Sequence, residues 1–135
     1  MNKPLRRIAV IGGSRIPFCR SNSIYSAKTN LDMLSASLQG VVDRFGLDGV
    51  QLDEVIAGAV TTHSKDWNLA REALQSTTMS PLTPGITLQQ ACATSLQGAL
   101  LIGARIASGE IECGIAAGTD TTSDFPVTYP HKFAR

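Results

Sequence analysis

Of the residues in this chain that can do chemistry, Cys92 is in the most telling place. It sits in Thr87-Leu88-Gln89-Gln90-Ala91-Cys92-Ala93-Thr94-Ser95-Leu96-Gln97-Gly98-Ala99, where a short apolar strand pattern gives way to a long apolar helix pattern. A thiol at a strand-to-helix junction faces the first backbone N–H groups of the helix, which have no partner within it. Those groups and the helix dipole favour a thiolate, the form of sulfur that attacks a carbonyl carbon. The position therefore points to covalent chemistry. A bland reading stands beside it, because cysteine is among the most buried residue types and often packs as a small hydrophobe.

Other groups offer less. Cys113 alternates with apolar residues and reads as inert core, whereas Cys19 lies in a polar loop without an activating neighbour. His63 and His131 fall in loops with no Cys, Asp or Glu at metal-ligand spacing; both read as solvent-exposed, and no metal site is expected. A Cys92–His63 dyad would have to be made by folding, since nothing in the sequence orients that imidazole as a base. Gly12-Gly13 follows a strand pattern but opens neither a GxGxxG nor a helix, which argues against a dinucleotide site. Asp120 and Asp124 flank Thr121-Thr122-Ser123, and turn chemistry accounts for both.

The elements that must position Cys92 follow from hydrophobic periodicity. Arg7 to Gly13 is a short apolar run ending in glycines and reads as a buried strand. After a polar loop, Asn30 can cap a helix in which Leu31, Leu34, Leu38, Val41, Val42 and Phe45 share a face, with Gly46 placed to end it. Val55 to Val60 reads as a second strand, Trp67 to Gln75 as a short helix, and Ile86 to Gln90 as a third strand leading to Cys92. Ala93 to Ser108 is apolar almost all the way round and should be buried on most sides. Its Gly98 and Gly103 cost helix propensity, so close approach of a neighbouring element is expected there. Cys113 to Gly118 makes a fourth strand, and a Pro-containing coil from Phe125 to Arg135 follows. Strands alternating with helices imply a parallel or mostly parallel α/β sheet. The chain stops without a closing element, as an N-terminal portion of something longer would.

Bulk properties narrow the classes. The 135 residues fit one domain, 43% are hydrophobic and 17% charged, and the formal net charge is +1. No global field points to nucleic acid or an acidic partner. Three cysteines without a CxxC argue against a disulfide framework and for a reducing compartment. The longest apolar run, Gly98 to Ala104, is too short to span a bilayer. A soluble cytoplasmic protein with no membrane span is the expectation.

With these residues in view, the sequence resembles the thiolase family over nearly its whole length. Arg15-Ile16-Pro17-Phe18 is similar to that family's Arg-Thr-Pro-Phe loop, and Asp53-Glu54-Val55-Ile56-Ala57-Gly58 to its second-strand segment. Asn68-Leu69-Ala70-Arg71 resembles an Asn-Pro-Ala-Arg helix start, Leu88 to Ala99 resembles the nucleophile segment, and Ala117 to Asp124 resembles a Gly-Gly-Met-Glu-Ser-Met-Ser stretch. Ser123-Asp124-Phe125-Pro126-Val127 is similar to the β-oxidation thiolases of the trifunctional-complex type. Gln89 stands where Asn or Thr is usual, and Thr119 and Thr122 replace two methionines.

The resemblance implies a thiolase-like N-terminal half-domain over residues 1–135, α/β, with a mostly parallel sheet, helices on both faces, and the C-terminal half absent. It implies that Cys92 accepts an acyl group from acyl-CoA, in thiolysis of a 3-ketoacyl-CoA or in condensation, with coenzyme A as substrate and no cofactor. It further implies a homo-oligomer in full-length form, in some cases within a β-oxidation multienzyme complex. The family's Gly-His-Pro, Cys-x-Gly and Asn-Glu-Ala-Phe segments, which carry its other catalytic groups, do not occur here, so this portion is expected to be inactive alone. Two alternatives stay open: part of a ketoacyl-synthase-type condensing enzyme, or a non-catalytic scaffold module that keeps the fold.

Overall fold

A computed structural model describes residues 4–127. Helix α1 spans Asn30–Phe45, strand β1 Glu54–Ala57, helix α2 Leu69–Gln75, strand β2 Gly85–Thr87, helix α3 Thr94–Ser108 and strand β3 Gly114–Ala116. A single 3-10 turn, Ser64–Asp66, lies between β1 and α2. The strands form one sheet in the order β2-β1-β3, parallel throughout, with Val55 opposite both Gly85 and Ile115. From β1 the chain winds through α2 to one edge, then crosses back through α3 to the other. The expected parallel α/β architecture with helices on both faces is what forms.

Local chemistry explains the helix limits. Thr29, one residue before the expected cap, closes a reciprocal capping box with Asp32, and Asn30 is drawn into the interior instead. Gly46 takes the left-handed conformation (φ 65°) that ends α1. Asn68 caps α2 by accepting from Arg71 N–H at 3.1 Å, which leaves Trp67 outside the helix and exposed. The pleat sorts β1: Val55 and Ala57 face α1 and α2 in the larger core, with Leu34, Leu38, Val42 and Leu74. Ile56 faces the other way, toward Ile102 and Ile111. Gly98 lets α3 close on the sheet, since a Cβ there would sit 3.3 Å from Ile56 and 3.6 Å from Ala116.

Three further expectations need correction here. Arg7 to Gly13 is not a buried strand: Val10 is 93% exposed and Ile11 79%. A strand needs a partner edge, and among the described residues this segment pairs with none; it is held instead by scattered ties, one of them from Arg44, whose guanidinium donates to the Gly13 carbonyl at 2.6 Å. Arg6 N–H donates to the Ala107 carbonyl at 2.9 Å and its guanidinium pairs with Glu112. At the other end, Asn22 N–H donates to Ser123 Oγ at 2.8 Å. Between these ties the segment stands off from the sheet edge at β3 across a cavity of about 1610 Å³.

Helix α3 is covered on one face only; Leu96 and Leu100 on the other remain 63% and 59% exposed. An all-apolar surface states a preference for burial, but the described residues supply one layer of cover. Cys113 is exposed rather than core, because β3 begins one residue later and the Cys113 N–H is turned to the Asp53 carboxylate, 3.0 Å away. No helix among the described residues is long and apolar enough to cross a membrane. His131 and the coil beyond 127 lie outside the described residues.

Candidate active site

Three loops leave the carboxyl ends of the strands on the same side of the sheet: residues 58–63 after β1, 88–92 after β2 and 117–124 after β3. Because the connection from β1 runs outward to β2 and the next one crosses back over β1 to β3, the winding direction reverses here, and this edge is a topological switch point, where open α/β sheets bind ligands. Cys92 is there, exposed, at the foot of α3.

The turn that carries it is built tightly. Ala91 has φ +47°, a left-handed conformation that costs a side-chain-bearing residue roughly 1 kcal/mol or more. Its surroundings hold it there. Thr94 Oγ1 accepts from Gln90 N–H at 2.9 Å and donates to the Ala91 carbonyl at 2.8 Å. The Gln89 side chain accepts from Ala91 N–H at 3.3 Å, which gives a local role to the residue that departs from the resembled pattern. No side chain caps α3 at Ala93; the Ala93 and Thr94 N–H groups donate to the Gln90 and Ala91 carbonyls at 3.0 and 3.2 Å, so only the amides beyond them in the first turn are left without a side-chain cap. The surroundings of the Cys92 turn are close-packed: a Cβ on Gly58 would fall 1.8 Å from the Leu88 carbonyl oxygen, and one on Gly118 2.9 Å from Ser95. Glycine is required at position 58 because backbone, not a yielding side chain, occupies that space.

The other candidates fall elsewhere. His63 is not solvent-exposed: its side chain is 16% accessible, and Nε2 lies 2.7 Å from the Asp124 carbonyl and 3.3 Å from an Asp124 carboxylate oxygen. Among the described residues no hydrogen bond joins it to Cys92. Asp120 and Asp124 do more than shape their own turn, since both reach the loop after β1. Sequence reasoning missed these links because their partners are about sixty residues away. Cys19 is half-buried in the N-terminal loop. The large cavity beside β3 is lined by Ser95 but not by Cys92, so it belongs to the N-terminal segment and not to the thiol. No cluster of three or more His, Cys, Asp or Glu among the described residues is arranged to hold a metal ion.

The fold and the loop cluster define a doubly wound α/β domain with a cysteine turn at its switch point. The structure of Bacillus anthracis acetyl-CoA acetyltransferase has the same fold, with a TM-score of 0.88 at 22% identity over 98% of this chain and 34% of that one. The 3-ketoacyl-CoA thiolases of Shewanella denitrificans and Vibrio cholerae are 33% and 32% identical to it over 128 residues, 95% of this chain and 29% of each relative. Residues 8–135 match the family model described as Thiolase, N-terminal domain, and the chain belongs to the thiolase family. It spans about three tenths of the length of these curated relatives.

Proposed function

We propose that this chain supplies the nucleophile of a thiolase-type acyltransferase and that Cys92 is the residue that becomes acylated. The observation that carries the reading is the Cys92 turn itself: an exposed thiol at the strand ends, preceded by a strained Ala91 and followed by an uncapped helix. Backbone strain concentrates where function demands a fixed geometry.

The chemistry balances in two halves. With a 3-ketoacyl-CoA, the thiolate adds to the 3-keto carbon, the Cα–Cβ bond breaks, and its electron pair leaves on acetyl-CoA, which takes up a proton. Coenzyme A thiolate then adds to the acyl-cysteine and expels the cysteine thiolate. In the condensing direction the thiolate displaces coenzyme A from one acyl-CoA, and the carbanion of a second takes the acyl group. A thiolate serves both halves because it is a good nucleophile and a good leaving group. Free backbone N–H groups at the foot of α3 suit the oxyanion formed at each addition, where a donor is worth about 3–4 kcal/mol. The proton-transfer partners are expected in the remainder of the full-length protein. We extend the same reading to its setting: fatty-acid β-oxidation in the cytoplasm, with a homo-oligomeric parent.

The test is a trapped intermediate. Incubation of the full-length protein with a 3-ketoacyl-CoA, followed by acid quench and peptide mass spectrometry, should place the acyl group on Cys92. Cys92→Ala should abolish both adduct and turnover with circular dichroism unchanged, while residues 1–135 alone should release no coenzyme A. An adduct on another residue, or thiolysis by the Ala variant, overturns the proposal.

A further inference from the structure

Asp120 is bonded to a loop other than its own. One of its carboxylate oxygens accepts Val60 N–H at 2.8 Å; the other accepts Thr61 N–H at 3.2 Å and the Thr61 hydroxyl. From the opposite side, buried Asn30 at the start of α1 donates to the Thr61 carbonyl at 2.7 Å. Thr119 N–H adds a bond to the Gly58 carbonyl at 3.1 Å. Residues 58–61 are thus gripped between α1 and the loop after β3. A carboxylate suits the grip because both of its oxygens accept, whereas an amide would set a donor against a backbone N–H.

The gripped loop touches the Cys92 turn directly. Gly58 lies against the Leu88 carbonyl, and a Cβ there would be 3.0 Å from the Thr94 methyl. Thr94 is the residue whose hydroxyl holds Gln90 and Ala91. We propose that Asp120 is a positioning residue for Cys92: it fixes residues 58–61 so that Gly58 backs Leu88 and Thr94, and these keep the Ala91–Cys92 turn in its left-handed form. Asp120 acts through these residues and touches no reacting atom. The functional meaning of the proposal rests on Cys92 as the nucleophile, but the coupling itself is measurable as thiol geometry without acyl transfer.

The experiment compares iodoacetamide alkylation rates of Cys92 and Cys113 in the same folded sample at neutral pH. Cys113 lies at the far end of β3 and serves as the internal reference. Asp120→Asn should change the Cys92-to-Cys113 rate ratio about fivefold or more, because small displacements at a reacting group have large kinetic effects. Asp120→Glu keeps both acceptors and should return the ratio to within about twofold of wild type. An unchanged ratio in folded Asp120→Asn overturns the proposal, and so does an equal change at both thiols, which would report general loosening. If Asp120→Asn does not fold, Thr61→Val decides. It puts a methyl in place of the hydroxyl, which ends the hydroxyl's bonds to Asp120, Asn30 and the Thr121 carbonyl, and should move the ratio about twofold; no movement overturns the proposal. An absent acyl adduct on Cys92 with a shifted ratio would sink the proposed function and leave the coupling standing.

Discussion

On one face of the sheet, α1 and α2 bring Leu34, Leu38, Val42, Ala73 and Leu74 against Val55 and Ala57, and every one of these side chains is essentially closed to solvent. On the other face, α3 brings Ile102 to Ile56, while Leu96 and Leu100 point away from any cover among the described residues. Both faces carry apolar helix residues, and their burial differs sharply. Hydrophobic stabilisation follows area removed from water, not composition, so the α1–α2 face carries most of the stability. The α3 face instead presents a helix stripe that favours association.

The sharpest way to break this comparison is a matched pair of truncations. Leu38→Ala should cost about 3–4 kcal/mol, since it opens a cavity in a fully packed core. Leu100→Ala, at an exposed site, should change stability by less than about 0.5 kcal/mol. Urea unfolding of the two variants reads the difference, and equal losses would mean that the α3 face is covered in solution.

A smaller effect is expected at the ion pair beneath α3. Glu54 is buried, and Arg105 pairs with it and with Glu110, at 2.7 Å from the latter. The hydrogen bond to Glu54, then that to Glu110, raises the Arg105 pKa above its ordinary value. Arg105→Ala strands a buried carboxylate and should lower the urea midpoint by less than Leu38→Ala does, because the guanidinium reaches solvent. Arg105→Lys should recover part of that loss, and full stability in the Ala variant would show that Glu54 had found water.

The smallest effect is on pH dependence and samples both sides of the sheet. Asp32, in the cap of α1, is held below its ordinary value chiefly by the Thr29 backbone N–H. Asp53, which ties the start of β1 to the approach of β3, is held below it by the N–H groups of Glu112 and then Cys113. Both pKa values are lower in the folded chain than in the unfolded one. Their contribution is therefore complete above the ordinary value of 3.8 and is lost as pH falls through the folded values. Acid titration of the urea midpoint should show that decline, and Asp53→Asn should make it shallower. An unchanged slope would mean that the Asp53 tie is absent in solution.

What was legible in the sequence was whatever is decided locally. The α1 face, its end at Gly46, the parallel α/β class and the place of Cys92 between β2 and α3 all follow from periodicity, turn chemistry and the order of elements. What was not legible depends on distant partners. Arg7 to Gly13 has a strand's composition, but a strand is made by its neighbour, and none among the described residues reaches it. His63 gave no sign of Asp124, nor Thr61 of Asp120, because nothing near either residue in sequence encodes the other. Cys113 alternates like a core residue, yet the start of β3 one position later leaves it outside.

The two ties of the N-terminal segment have a consequence for the order of assembly. Arg6 to Glu112 and Asn22 to Ser123 span 106 and 101 residues. The contacts joining α1, β1, α2 and β2 close far shorter loops, and long closures are the slower and entropically costlier ones. Residues 29–116 therefore form the early nucleus. Residues 4–24 are expected to join that unit late and, on unfolding, to leave first. Hydrogen exchange should accordingly reach the Arg6 and Asn22 amides long before those of β1. The outer edge of β3, with no strand paired to it among the described residues, is thus open to pairing with another chain.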